Sequence, residues 1–200
     1  MHAGETVTIV ISDITRLCGT SEFLPVIVAE LNSVGVKDED ITVIVATGTH
    51  RGHTHEEDIT VCGEEMVRRL KIVQHDSRKS EDMVLLGQTS FGNDVAISKY
   101  VANADRVILT GAVTLHPFAG FGGGRKSILP GISGRETIFH NHAFSLDAAQ
   151  LRSNPAIGNG VLKGNPLHED MCEAAGLVKN LFIVNLVMNA QMQLAAILSG

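Results

Sequence analysis

The sequence is poor in the residues on which several classes of protein depend. It has no tryptophan and one tyrosine, and aromatic residues make up 4% of its 200 residues. We therefore predict no stacking platform for single-stranded nucleic acid. The formal net charge of −6 also argues against a nucleic-acid partner, because a phosphate backbone selects a basic surface. No apolar run approaches the ~20 residues that span a bilayer, and the chain does not open with a basic segment followed by an apolar core. We expect neither nucleic acid nor membrane as a partner.

Cysteine is scarce and scattered. The three cysteines, Cys18, Cys62 and Cys172, form no CxxC pair, and because their number is odd they cannot all be paired in disulfides within the chain. This pattern is typical of reduced thiols, so a cytoplasmic protein is predicted. Apolar residues make up 44% of the chain, which is enough for one globular domain with a core.

Apolar runs alternate with helical patterns along the chain. Residues 6–12, 41–46 and 106–110 are continuous apolar runs that predict buried strands. Further strands are predicted at 71–75, 83–86, 181–187 and 194–198, and helices at 22–33, 54–70, 95–102, 134–143 and 167–175. Along these strands the apolar residues are continuous and do not alternate with polar ones. This pattern, interleaved with helices, indicates an α/β fold: a mostly parallel sheet with helices on both faces in Rossmann-like layers. Residues 193–200 look like a strand cut off in mid-topology, so we expect a domain excised from a longer protein.

Polar residues directly follow three of these strands. Asp13 and Arg16 stand in D-I-T-R after the first, and His50 stands in T-G-T-H-R after the second. The third leads into TLHPFAGFGGGRKSILPGISGRETIFHNH at 114–142, which contains His116, Gly120, Gly122, Gly123, Gly124, Arg125, Lys126, His140 and His142. Because parallel strands end at one edge of a sheet, where ligands usually bind, we predict a site there.

Each group of residues allows more than one interpretation. His50 and His116 suit general acid–base catalysis near neutral pH, or they are polar loop residues that bind backbone. The segment from Gly122 to Lys126 resembles a phosphate loop without the Walker A pattern, or it is a flexible connection. Arg16 could bind a carboxylate through two parallel hydrogen bonds, or it is a surface cation. Asp13 could be the N-cap residue of a helix. His142 is a lone metal ligand or a partly buried helical histidine.

Taken together, these motifs resemble the nickel-pincer-nucleotide-dependent lactate racemase family. The resemblance rests on D-x-T-R, A-T-G-T-H-R and H-P-F-A-G-F-G-G-G-R-K-S-I-L-P-G-I with a downstream N-H, and it covers essentially all 200 residues. It implies that residues 1–200 form a single catalytic and cofactor-binding α/β domain. The family's additional N-terminal segment and its second, C-terminal domain would lie outside it.

The resemblance also implies roles for individual residues. Lys126 would carry pyridinium-3-thioamide-5-thiocarboxylic acid mononucleotide through a thioamide linkage, beside Gly122, Gly123, Gly124 and Arg125. His142 would be the single protein ligand to nickel. His50 and His116 would be the catalytic histidines, one near the hydroxyl of each enantiomer. Arg16 would hold the substrate carboxylate, with Asp13 as its acidic neighbour.

The implied activity is a racemase or epimerase of 2-hydroxy carboxylic acids that transfers hydride to the nickel-pincer nucleotide. Cofactor-maturation enzymes would be partners, and the 200 residues alone are expected to be inactive. Leu17 stands where the family usually has proline, Pro117 follows His116, and the family's C-terminal lysine is absent, so the substrate stays open. Two alternatives remain: a noncovalent nucleotide- or phosphate-binding module that uses Gly122 to Lys126, and a zinc hydrolase built on His50, His53 and His55.

Overall fold

The computed structural model describes residues 1–189 and 194–200. Its strands are β1 (Val7–Ser12), β2 (Ile41–Ala46), β3 (Lys71–Gln74), β4 (Met83–Gln88), β5 (Asp94–Ser98), β6 (Arg106–Ala112), β7 (Leu115–His116), β8 (Gly120–Phe121), β9 (Leu146–Asp147), β10 (Arg152–Ser153), β11 (Leu181–Met188) and β12 (Leu194–Ser199). Its helices are α1 (Thr20–Ser33), α2 (His55–Cys62), α3 (Glu64–Arg69), α4 (Lys99–Ala102), α5 (Arg125–Ile128), α6 (Arg135–Ala143) and α7 (Pro166–Gly176).

A six-stranded sheet in the order β12-β11-β6-β1-β2-β3 forms the centre of the fold. All neighbouring strands are parallel except β12, which pairs antiparallel with β11. The chain moves from β1 outward to β2 and β3, and then returns to the other side of β1 with β6 and β11. The strand order therefore reverses between β1 and β6, the kind of switch point at which open α/β sheets bind ligands.

Both faces of the sheet are covered, which explains the continuous apolar strands. In β1, Ile9 and Ile11 point into a core shared with α1, α2 and α3, whereas Val10 points into a core shared with α5, α6 and α7. Side chains on a strand alternate between the two faces, so a strand buried on both sides has no polar face. The predicted α/β fold is confirmed.

The helix predicted at residues 95–102 is wrong. Residues 94–98 form β5, which pairs antiparallel with β4 in a separate two-stranded sheet, and only Lys99–Ala102 is helical. Val95 and Ile97 are buried and Ala96 is half-buried, an alternation with the period of two that marks a strand. The local β-branched pattern outweighs the helical period that the longer window suggests.

The helix predicted at 54–70 is two helices, α2 and α3. The predicted capping box is present, because the Thr54 side chain accepts from the backbone N–H of Glu57 and the Glu57 side chain accepts from that of Thr54. The break falls at Gly63, whose φ of 86° lies outside the helical region. The strand predicted near the C-terminus is present as β12, although Gln193 lies outside the described residues.

Two extended segments complete the description. Residues 113–124 lead from β6 through the short β7–β8 pair to α5, and residues 144–165 connect α6 to α7. No helix in the described ranges is both long and apolar enough to cross a membrane.

Candidate active site

A cavity of about 650 Å³ lies at the carboxyl edge of the sheet, beside the reversal in strand order. It is lined by the loops that follow β1, β2 and β6, together with α5 and α6. The three loops therefore converge as the strand pattern predicts. The predicted site residues that line the cavity are Asp13, Arg16, His50, His116, Gly123, Lys126 and His142.

Asp13 holds His50 at the ends of two hydrogen-bonded strands. Asp13 caps a short 3-10 helix, Ile14–Arg16, and its Oδ1 accepts hydrogen bonds from the Thr15 backbone N–H (3.0 Å) and hydroxyl (2.7 Å). Its Oδ2 lies 2.6 Å from His50 Nδ1. The Asp13 side chain is 5% exposed and that of His50 is 55% exposed. A carboxylate that orients one imidazole nitrogen leaves the other as a base, as in hydrolase triads.

His116 is held by backbone donors instead of a carboxylate. Its Nδ1 accepts hydrogen bonds from the N–H groups of Phe118 (3.2 Å) and Ala119 (3.1 Å). Burial lowers the pKa of His116 to about 4, and the positive charges of Lys126 and Arg16 act in the same direction. His116 is therefore a neutral imidazole at pH 7.

Lys126 stands on α5 and its side chain lines the cavity. Burial, together with the charges of Arg16 and Arg125, lowers its pKa to about 8. About a tenth of the Lys126 side chains are then uncharged at pH 7, so the amine is available as a nucleophile.

His142 on α6 offers a single free ring nitrogen. Its Nδ1 lies 3.0 Å from the Ile138 carbonyl oxygen, to which it donates, so Nε2 carries the lone pair. Burial lowers the pKa of His142, which favours the neutral form that binds metals. Within residues 1–189 and 194–200, no group of three or more His, Cys, Asp or Glu side chains is arranged to hold a metal.

The glycine loop packs tightly against the sheet. A Cβ at Gly123 would lie 2.8 Å from Asn185 Oδ1, and one at Gly122 would lie 2.8 Å from the Ala112 carbonyl oxygen. The N–H of Gly124 donates to Asn185 Oδ1 at 2.8 Å. These glycines allow the loop to approach β6 and β11, and the N–H groups of Gly122 and Gly124 are used inside the protein.

Arg125 does not line the cavity. Its guanidinium donates to the carbonyl oxygens of Ala119 (2.8 Å) and Phe121 (3.1 Å) and so fixes the loop. Of the five residues assigned by resemblance to cofactor binding, Gly123 and Lys126 line the cavity, whereas Gly122, Gly124 and Arg125 do not.

The geometry disagrees with a zinc cluster on His50, His53 and His55. His53 Nε2 accepts from the Ile14 N–H at 2.8 Å, its Nδ1 lies 3.0 Å from Asp58 Oδ1, and its side chain is 1% exposed. Both ring nitrogens are engaged, so His53 is a buried structural histidine. His55 is exposed at the start of α2.

Sequence reasoning missed several residues of the site. Phe139 lines the cavity and is 48% exposed, and Thr15 holds the Asp13 carboxylate. Leu17, noted from the sequence only as a departure from the family's proline, lines the cavity as well. Asn185 accepts the hydrogen bond that fixes the glycine loop. A polar residue inside the apolar run LFIVNLVM was a signal that could have identified Asn185.

Comparisons with known proteins agree on one relationship. The lactate racemase N-terminal domain family matches residues 1–153. Lactate racemase from Lactiplantibacillus plantarum is 38% identical over 194 residues, which cover 97% of this chain and 44% of that protein. Lactate racemase from Thermoanaerobacterium thermosaccharolyticum is 36% identical over 196 residues, which cover 98% of this chain and 45% of that protein.

Solved structures give the same relationship at the level of the fold. The lactate racemase apoprotein from T. thermosaccharolyticum matches with a TM-score of 0.88 at 36% identity, over 99% of this chain and 46% of that one. A Thermotoga maritima protein matches with a TM-score of 0.75 at 20% identity, over 98% of this chain and 49% of that one, which shows the shared fold alone. The chain spans slightly less than half the length of these relatives.

Proposed function

The chain belongs to the lactate racemase family, and from that premise we propose that it is the cofactor-carrying part of a racemase or epimerase of 2-hydroxy carboxylic acids. The observation that carries the proposal is that the half-buried Lys126 lines the same cavity as His142, whose Nδ1 donates to the Ile138 carbonyl and leaves Nε2 with the lone pair. One residue offers a nucleophilic nitrogen and the other offers a single metal donor. A covalently attached, metal-binding organic cofactor needs both.

We propose that the cofactor is the nickel-pincer nucleotide, pyridinium-3-thioamide-5-thiocarboxylic acid mononucleotide with nickel. The side chains fit such a group: Lys126 would form the covalent linkage, and His142 Nε2 would bind nickel, which accepts imidazole ligands. When bound, the group supplies an acceptor for the hydrogen on C2 of the substrate. The protein then needs only to bind the substrate, orient it and move the hydroxyl proton.

The side chains around the cavity supply those remaining tasks. The exposed guanidinium of Arg16 suits a substrate carboxylate through two parallel hydrogen bonds. In this proposal His50 Nε2 accepts the hydroxyl proton, and Asp13, which contacts His50 Nδ1, stabilises the imidazolium that forms. Asp13 is thus a positioning residue for His50 in this proposal. Substrates other than lactate remain open.

The proposal extends to the longer protein that the relatives' length suggests. We propose that residues 1–200 act as one domain, that a second domain completes the site, and that maturation enzymes load the cofactor. On this basis residues 1–200 alone are expected to show no turnover.

The test is peptide mass mapping of Lys126 in the full-length protein, co-produced with cofactor-maturation enzymes. We expect a sulfur-containing pyridinium mononucleotide adduct on Lys126 and its loss in Lys126→Ala. Lys163→Ala, which changes an exposed loop lysine, is the matched control and should keep the adduct. An unmodified Lys126, with maturation verified on a known lactate racemase in parallel, would refute the proposal. Reversible binding of a mononucleotide would then favour the noncovalent nucleotide-binding module.

A further inference from the structure

We propose that Asp170, a buried carboxylate on α7, is a positioning residue for His142, an inference that rests on the proposed function. Asp170 does not line the cavity. It connects α6, the helix that carries His142, to α7 and to the turn between β4 and β5. The place of the metal donor, His142 Nε2, is therefore set by a residue outside the cavity.

Hydrogen bonds satisfy the buried carboxylate of Asp170. The residue is 0% exposed. Its Oδ1 accepts from the Thr89 hydroxyl at 2.6 Å, and its Oδ2 accepts from the side-chain amides of Asn93 and Asn141, both at 2.8 Å. All three donors are neutral groups. A buried charge is costly unless it is paired or hydrogen-bonded, so each of these contacts is needed and the donors are held close to Asp170.

The donors come from separate elements of the fold. Asn141 lies on α6, whereas Thr89 and Asn93 lie in the turn that joins β4 to β5. The Thr89 N–H donates to the Asn93 carbonyl oxygen at 3.0 Å, which closes that turn. Asp170 itself lies on α7. One carboxylate therefore fixes α6 relative to a second helix and a hairpin.

The two amides can take only one orientation. The amide nitrogen of Asn141 donates to the Leu167 carbonyl oxygen (3.0 Å) as well as to Asp170. That of Asn93 donates to the Thr137 carbonyl oxygen (3.2 Å) in the same way. A flipped amide would place its oxygen against a carboxylate and a carbonyl, so flipping is excluded. Both amide oxygens are buried without a hydrogen-bond partner among the described residues. Unpaired buried acceptors cost stability, and their presence here indicates a network kept for its geometry.

Further contacts hold α6 against the β4–β5 hairpin. The Thr137 hydroxyl donates to the Asp94 carbonyl oxygen at 2.7 Å and accepts from the Ala96 N–H at 3.1 Å. His140 Nε2 lies 3.2 Å from the Phe91 carbonyl oxygen, to which it can donate. Thr137 lies in the first turn of α6 and His140 lies near its end, so the hairpin holds the helix along its length.

The position of α6 determines the position of His142 Nε2. His142 Nδ1 is hydrogen-bonded to the Ile138 carbonyl oxygen of the same helix at 3.0 Å, which fixes the ring relative to α6. Asn141 directly precedes His142, so a rotation of α6 that breaks the contact between Asn141 and Asp170 also moves the ring. Residues behind a metal ligand commonly set its orientation in this way.

Nickel affinity in the full-length, cofactor-loaded protein tests the inference by a readout other than turnover. It is measured by competition with a chelator. We expect it to fall by about 10- to 100-fold in Asp170→Ala, the usual effect of removing a residue that orients a metal ligand. Asp170→Asn keeps an oxygen for the two amides and can donate to the Thr89 hydroxyl, so its affinity should stay close to that of the wild type. Equal losses in both variants would show that the charge matters and not the position, which would overturn the inference.

Leu24→Ala is the matched control for a general loss of stability. Leu24 is buried in the core on the other face of the sheet, so this variant should lose stability and keep its nickel affinity. If the affinity falls as far in Leu24→Ala as in Asp170→Ala, lost stability explains the effect and the inference is wrong. Asn93→Ala, which removes one donor to Asp170, replaces Asp170→Ala if that variant does not fold, and it should also lower the affinity. Unchanged affinity in the folded variant would contradict the argument.

Positioning can also be measured without nickel, in full-length protein produced without maturation enzymes. The NMR signals of the His142 ring, identified by their loss in His142→Ala, should shift in Asp170→Ala and stay in place in Leu24→Ala. Unmoved signals in Asp170→Ala would count against the inference. Nickel bound equally well by His142→Ala would refute the proposed function instead, so the two failures are distinguishable.

Discussion

Replacing Lys126 by methionine should stabilise the protein, because the folded state holds the lysine charge at a cost. Burial lowers the pKa of Lys126 from 10.5 to about 8. Each pKa unit corresponds to about 1.4 kcal/mol, so the charged form costs the folded state about 3 kcal/mol at pH 7. Methionine keeps most of the length of the side chain and removes the charge. We expect the free energy of unfolding at pH 7 to rise by about that amount.

The same pKa sets the pH dependence of the effect. The folded pKa is depressed, so between about pH 8 and pH 10.5 the unfolded state binds more protons than the folded state, and wild-type stability rises with pH. The advantage of Lys126→Met should therefore shrink across this window and vanish above it.

Urea unfolding of both proteins at several pH values measures the difference. Lys163→Met, at an exposed loop position, is the control and should change stability by less than ~0.5 kcal/mol. If Lys126→Met destabilises the protein at pH 7, or if its effect is the same from pH 7 to pH 10.5, the argument that a buried charge opposes folding is refuted.

Three further predictions concern the loop, the core and His116. Gly123→Ala should cost about 1–3 kcal/mol in thermal unfolding, because Gly123 has a φ of 90° and its Cβ would lie 2.8 Å from Asn185 Oδ1. Gly92→Ala, with a φ of 76° and nothing within 4 Å, should cost clearly less, and an equal loss would contradict the steric reason. Asp170→Ala should cost about 3 kcal/mol or more in urea unfolding, since this buried carboxylate accepts from one hydroxyl and two amides; a loss below ~1 kcal/mol would refute this. The ring protons of His116 should titrate near pH 4 in NMR spectra, because burial lowers its pKa; a midpoint near 6.5 would show that the ring is solvated.

The strands of the central sheet could be predicted because each is buried on both faces. Such strands have continuous apolar runs, and β1, β2 and β6 all follow that pattern. The same runs indicated where the loops meet, since parallel strands end at one edge. β5 could not be predicted in the same way, because it packs in a small antiparallel sheet and its five residues merge with the helix that follows.

The composition of the site could be predicted more fully than its contacts. The sequence indicated that His50, His116, Lys126 and His142 belong to one site, and all four line the cavity. It could not show that the Arg125 guanidinium binds carbonyl oxygens of the glycine loop itself. Such contacts depend on where a loop folds back, which local residue patterns do not encode.

Hydrogen bonding between β1 and β2 fixes how far along the sheet each of these strands ends, and so sets the starting points of the loops that carry Asp13 and His50. Ser12 pairs with Ala46 at the ends of these strands, and Asp13 follows one partner directly. A single residue inserted into β1 would move the end of the strand by about 3.3 Å. That shift exceeds the 2.6 Å between Asp13 Oδ2 and His50 Nδ1, so it would break their contact. The rim loops that carry neither Asp13 nor His50 can therefore change in length without disturbing this pair, whereas the paired strands and residues 47–50 cannot. Any attempt to transplant the pair into another protein must carry both strands and their register.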